Sequence, residues 1–176
     1  MDKNQLVTLL EEKHQKLLDS LTSLTKDQWE KSPQNKWSSG QMALHLLQSI
    51  IPINNAMSLP KFFLKLRYGK STAIPKDYAE VSKGYHDKLH QAKGPDSPFS
   101  KQIKPVTFNE KKYILNRLQM ENKKLQYKTK KWKETDLNTY ILPHPLMGKM
   151  PAKELILWTA YHVEHHTKQI NSHLTH

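Results

Sequence analysis

Residues 151–173 read PAKELILWTAYHVEHHTKQINSH, which places three imidazoles within five positions, at His162, His165 and His166. On a helix turning 100° per residue, His162 and His166 stand about 40° apart and one turn separated. That is the spacing at which two ring nitrogens can grip one cation. The stripe through Leu155, Trp158, His162, His165 or His166, Gln169 and His173 is apolar in its first half and imidazole and amide in its second. Buried imidazoles cost free energy unless each finds a partner. A divalent cation is such a partner, since it takes a nitrogen lone pair from each ring. Three imidazoles with one exchangeable position form the catalytic arrangement, whereas structural sites fill all four positions with protein.

A pair on one helix needs a third ligand from a facing one. His45 is the best candidate, because it sits beside Met42, Leu46 and Ser49 in an otherwise apolar segment. Plainer explanations exist for each piece. An HxxxH pair arises by chance, a lone histidine on an apolar face is more often a core residue, and His165, about 60° from His162 on its other side, competes with His166. The chain has no cysteine. Disulfides, thiolate ligands and a cysteine nucleophile are therefore excluded, and a metal must rest on nitrogen and oxygen donors.

The elements that would position these rings are helical. Leu6, Leu10, Leu17, Leu21 and Leu24 recur at helical spacing over residues 4–24, with His14 on the same stripe as a hydrogen-bonded core histidine. A connection at 25–37, with Pro33 and Asn35, leads to a second helix capped by Ser38 or Ser39 and buried along Met42, Leu46, Ile50 and Ile53. Pro52 should kink or end it, having no amide proton for the ladder. A short helical piece follows at 61–66, with Pro60 suited to its first position.

Residues 69–107 hold Pro75, Gly84, Gly94, Pro95, Pro98 and Pro105 and show no sustained period, so they read as a long crossover. A third helix spans about 108–132 on Ile114, Leu118 and Leu125. Residues 133–150 are another connection, and the last helix runs from Pro151 to about His173, with Glu154 near its positive end. The expected fold is all-α: an antiparallel four-helix bundle with a long crossover between helices 2 and 3, in a single domain over 1–176.

The net charge of +12 is uneven. Residues 60–133 carry 19 Lys/Arg against 6 Asp/Glu, leaving 19 − 6 = +13, and the rest of the chain 9 − 10 = −1. Such a middle could attract nucleic acid, an anionic membrane or an acidic small molecule. A solvated lysine-rich face is the plainer reading, and few aromatics interleave as a single-strand platform requires. No apolar stretch follows a basic start, and the most apolar run, MALHLLQSIIPI, is broken by His45, Gln48 and Pro52. A cytoplasmic protein without a membrane partner is expected.

Two segments resemble a known family. WSSGQMALHLLQSI (37–50) is similar to the segment around the first metal histidine of the DinB/YfiT-like superfamily. HPLMGKMPAKELILWTAYHVEHHTKQI (144–170) resembles its His-Pro…Gly turn and final helix bearing His-x-x-His-His-x-x-Gln. The resemblance implies a four-helix bundle with a three-histidine site for zinc or nickel, here His45, His162 and His166. His165 would then point beside the site, and Gln169 would pack or support it. It also implies kinship with S-transferases that use bacillithiol, mycothiol or glutathione, and dimers are common among such proteins. Many members carry Arg-Gly before the final Gln; Thr167 and Lys168 stand there instead.

The functional expectation is a divalent-metal-dependent enzyme with a position open to water or thiol, acting as a thiol S-transferase on a small electrophile. Lysines of 69–107 would hold the carboxylates of the low-molecular-weight thiol. The competing readings are a metal-dependent hydrolase, a non-enzymatic stress or binding protein with a vestigial site, and a nucleic-acid binder. Glu164, two positions from each helix-borne ligand, should face away into solvent. No general base is nameable from the sequence.

Overall fold

The computed structural model describes residues 1–32, 36–92 and 103–174; the sequence readings at Pro33, Asn35, Gly94, Pro95 and Pro98 lie outside them. The chain is 75% helix, with eight α-helices and one two-stranded sheet among the described residues. Helix α1 (Lys3–Thr22) starts where Asp2 and Gln5 cap each other's backbone amides, and it buries Leu6, Leu10, His14, Leu17 and Leu21. Helix α2 (Lys26–Glu30) is one turn that buries Trp29.

Helix α3 (Ser39–Met57) is capped by Ser38, which accepts from the Gln41 amide at 3.2 Å while Gln41 answers the Ser38 amide at 2.9 Å. Of the two outcomes expected at Pro52, a kink or an end, the helix does not end there but runs on to Met57. The proline gives the Gln48 carbonyl no amide, but Ile50, Ile53, Asn54 and Met57 are buried on both sides of it, and that packing carries the helix through.

Helix α4 (Lys61–Tyr68) follows Pro60, which occupies the cap position rather than the first turn. The stretch read as a structureless crossover contains a further helix, α5 (Tyr78–Gln91). Its signals are an Asp77–Glu80 capping box and an apolar line at Tyr78, Val81, Tyr85 and Leu89; Gly84 within that line and the flanking prolines mask the period.

Helix α6 (Lys111–Lys131) is preceded by a 3₁₀ turn at Phe108–Glu110. The second expected connection also has structure: helix α7 (Glu134–Thr139), then strands β1 (Ile141–His144) and β2 (Gly148–Pro151). The strands pair antiparallel with Leu142 opposite Met150, and Gly148 turns the chain with φ of 78°. Four-residue strands with a proline in each are too short to show alternation in sequence. Helix α8 (Ala152–Leu174) leaves β2 directly, its first amide bonded to the Tyr140 carbonyl at 2.9 Å.

Helices α1 and α3 each pack against both α6 and α8, and α5 lies on α8. Glu121 of α6 is buried and accepts from the Asn54 amide of α3 at 2.9 Å, with Arg117 and Lys124 compensating its charge. Trp29 fills the space over Gly40, where a Cβ would stand 2.6 Å from the indole nitrogen, and donates to the Thr107 carbonyl at 3.1 Å. The first turn of α3 is thereby fixed, and with it the approach of His45 to α8. Among the described residues no helix is long and apolar enough to cross a membrane.

Candidate metal centre

Helix α3 presents His45 towards α8, where His162 and His166 occupy one face a turn apart. His162 Nε2 lies 3.1 Å from His45 Nε2 and 3.0 Å from His166 Nε2, and one ligand nitrogen from each ring lies within 4.8 Å of the others. His162 and His166 are buried and His45 is half-buried. Burial, with repulsion from neighbouring imidazoles second (His166 on His162, His45 on His166), holds His162 and His166 well below the ordinary imidazole value; burial and then His165 push His45 down to about 4. All three rings are therefore neutral near pH 7, with lone pairs to give.

Hydrogen bonding does not account for the cluster. A single ring nitrogen offers either one hydrogen or one lone pair, yet His162 Nε2 faces two other ring nitrogens at bonding distance. One cation among three lone pairs satisfies every contact at once. Zinc–nitrogen bonds of about 2.0–2.1 Å in a tetrahedral array separate the nitrogens by about 3.3 Å, close to the 3.1 and 3.0 Å that His162 Nε2 keeps from His45 and His166. The three histidines could hold a divalent metal ion.

Aromatic rings wall the cluster. Trp158, one turn before His162, stacks on it with centroids 4.6 Å apart, and Trp37 lies 4.9 Å from the His45 ring and stacked at 6.3 Å from that of His166. Tyr85 of α5 turns its ring edge to His162 at 5.9 Å. Burial, then Tyr161, pushes the Tyr85 phenol up to about 12, so it stays protonated. His144 ends β1 against Trp158, centroids 4.1 Å apart, and its Nδ1 accepts from the amides of Leu146 and Met147 at 3.1 and 2.9 Å. That acceptor role places its hydrogen on Nε2.

A cleft of about 480 Å³ opens beside the cluster, lined among others by Trp37, His45, Tyr85, His165, His166 and Gln169. His165 stands beside the three rings, its centroid 5.1 Å from that of His166 and 6.1 Å from that of His86. Gln169 comes up to the His166 ring, where the buried Nδ1 has no hydrogen bond of good geometry. Thr167 caps back to the Val163 carbonyl, and Lys168 pairs with Glu164 at 2.6 Å.

Glu164 is not the solvated residue its spacing suggested. It takes Lys13 of α1, Lys168 of α8 and, at 2.8 Å, the Tyr78 hydroxyl of α5. Burial pushes its carboxyl up, but the hydrogen bonds from Lys13, Lys168 and Tyr78 together hold it at about 2. The aromatic wall also escaped the sequence reading. Trp158 counted only as the apolar half of a stripe, and Tyr85 was lost with its helix.

A sequence profile of the DinB superfamily matches residues 9–170, from within α1 to the last turns of α8. The chain belongs to the DinB superfamily. No curated protein and no solved structure matches it significantly. The profile covers all three clustered histidines of this DinB-superfamily protein, together with Trp37, Tyr85 and His144 around them.

Proposed function

We propose that His45, His162 and His166 ligate one divalent metal ion, zinc or nickel, and that the protein is a metal-dependent enzyme acting as a thiol S-transferase on small electrophiles. On this reading α1, α3, α6 and α8 form one antiparallel four-helix bundle, with α4 and α5 in the crossover, and the domain spans the chain. The observation that carries the proposal is the convergence of three neutral imidazole nitrogens beside an open cleft.

A divalent cation held there supplies Lewis acidity, which makes a coordinated thiol or water nucleophilic at neutral pH. The chain's own residues do the rest. Buried Trp158 covers the His162 ring, Trp37 lines the cleft beside His45, Tyr85 offers a protonated hydroxyl from the α5 wall, and Lys36 at the cleft supplies a cation for a carboxylate. The lysines first expected to do this belong to 69–107, whereas Lys36 lies just before α3.

Elemental analysis of the purified chain beside a His162→Ala/His166→Ala variant tests the ligands. The expected result is about one metal per chain, lost in the variant; equal content in both ends the assignment. Incubating the metal-loaded protein with electrophiles, with and without bacillithiol, mycothiol or glutathione, tests the activity. Conjugation that requires thiol supports transfer. Thiol-independent turnover assigns a hydrolase, and no turnover across the panel assigns a binding protein.

A further inference from the structure

Five of the ten large hydrophobic side chains exposed among the described residues fall between positions 59 and 74: Leu59, Phe62, Phe63, Leu66 and Ile74. They centre on α4, whose inward face is Leu64, fully buried and packed in the core. At 100° per residue, Phe62 and Leu66 each stand about 160° from Leu64 and one turn from each other. The face opposite the core is thus an apolar ridge, with Phe62 74% and Leu66 85% exposed, and Ile74 beyond the helix is 92% exposed. Lys65 lies to one side of the ridge, and Phe63 and then Arg67 to the other.

The charge along this segment has one sign. From 59 to 76 the sequence LPKFFLKLRYGKSTAIPK holds Lys61, Lys65, Arg67, Lys70 and Lys76 and no acidic residue. Lys65, Arg67, Lys70 and Lys76 are exposed, and none forms an ion pair among the described residues. A basic helix with phenylalanine and leucine along its free face is the composition that lies in a membrane interface, its apolar side chains among the acyl chains and its cations at the headgroups. A second copy of the chain fits less well, because a two-fold contact on this ridge would set Lys65, Arg67 and Lys70 close to their own copies with no acid between.

We infer that α4 seats the protein peripherally on an anionic lipid surface, with Phe62 and Leu66 inserted and Lys65, Arg67, Lys70 and Lys76 at the headgroups. No spanning segment is needed, so the lack of one among the described residues does not bear on this seat. The inference is independent of the metal reading, since none of these residues lines the histidine cluster.

Sedimentation of the full chain with phosphatidylcholine vesicles, with and without phosphatidylserine, is the test. Binding is expected only when phosphatidylserine is present, and it should weaken as salt rises. Phe62→Ser/Leu66→Ser should lose at least about tenfold in affinity for each side chain. Lys65→Gln/Arg67→Gln should lose about fivefold per cation and flatten the salt dependence. All four side chains face solvent, so both variants should keep the native melting curve, and circular dichroism checks that they do. Absence of binding to anionic vesicles overturns the inference. So does binding that survives Phe62→Ser/Leu66→Ser undiminished, which marks mere diffuse attraction. A dimer in analytical ultracentrifugation that Phe62→Ser/Leu66→Ser dissolves, without vesicle binding, assigns the ridge to a second copy instead.

Discussion

Trp158 lies flat on His162, ring centroids 4.6 Å apart and planes 22° from parallel, and the buried indole N–H makes no hydrogen bond to the described residues. The stack fixes the imidazole that faces both other ring nitrogens, and the His144 ring also meets the indole, centroids 4.1 Å apart. Orientation of a ligand ring by its neighbours commonly governs metal affinity about 10–100-fold. On the metal reading proposed above, Trp158→Leu is therefore expected to weaken metal binding by about that factor in competition titration against a chelator. Trp158→Phe keeps a ring over His162 and removes an unpartnered donor, so it should stay near native affinity and cost only about 1 kcal/mol of stability. Native affinity in the leucine variant would show that the stack does not hold the ligand.

Gly40 is the second lever on the site. A Cβ there would stand 2.6 Å and 2.8 Å from Nε1 and Cε2 of fully buried Trp29. Gly40→Ala must displace the indole and lengthen its 3.1 Å bond to the Thr107 carbonyl. Overpacking with the loss of a hydrogen bond costs about 2–4 kcal/mol. Urea denaturation should show the midpoint falling with little change in slope. An alanine variant as stable as the native chain would mean that the indole shifts freely, and that the start of α3 is not pinned by it.

Helix α5 rests on α8 through Tyr85 and through the hydroxyl of Tyr78, which donates to Glu164 at 2.8 Å. Burial and then Glu164 push the Tyr78 phenol up, so this donor persists at any physiological pH. Tyr78→Phe should cost about 1 kcal/mol, and about fivefold more opening of α5 than of the rest. Hydrogen exchange resolved by segment checks this: amides in Tyr78–Gln91 should speed up while those of α1 and α6 hold. Uniform acceleration would show that α5 does not open as a separate unit.

How much could be read from the residues alone depended on the length of each pattern. The stripes of α1, α3, α6 and α8 run for 19 to 23 residues and were legible, and so were the histidines that interrupt them. Ser38 announced its helix through the Gln41 capping box, with no tertiary information. Tyr78, Val81, Tyr85 and Leu89 carried the same helical signal, but over 14 residues with Gly84 among them. Strands β1 and β2 are visible only once α8 packs behind Leu142 and Met150, because four residues cannot establish a period. Glu164 was misjudged because angle along one helix says nothing of Lys13 and Tyr78, which come from two others.

His14 gives the clearest pH signature. It is buried on α1, directed towards the Leu10 carbonyl without a hydrogen bond of good geometry, and burial pushes it down from 6.5 to about 4. Between those values the unfolded chain binds a proton that the folded chain refuses, so stability rises with pH across the window and is lost as pH falls through it. At pH 5 the loss from this one residue is about 2 kcal/mol relative to pH 8. His14→Leu removes that proton and an unpartnered polar ring together, so it should match or exceed the native chain at pH 7 and exceed it by about 2 kcal/mol more at pH 5. Urea melts of both proteins at the two pH values measure it. An advantage that stays the same at pH 5 as at pH 7 would mean that His14 takes up its proton without unfolding the chain, through solvent access that the packing of α1 does not provide.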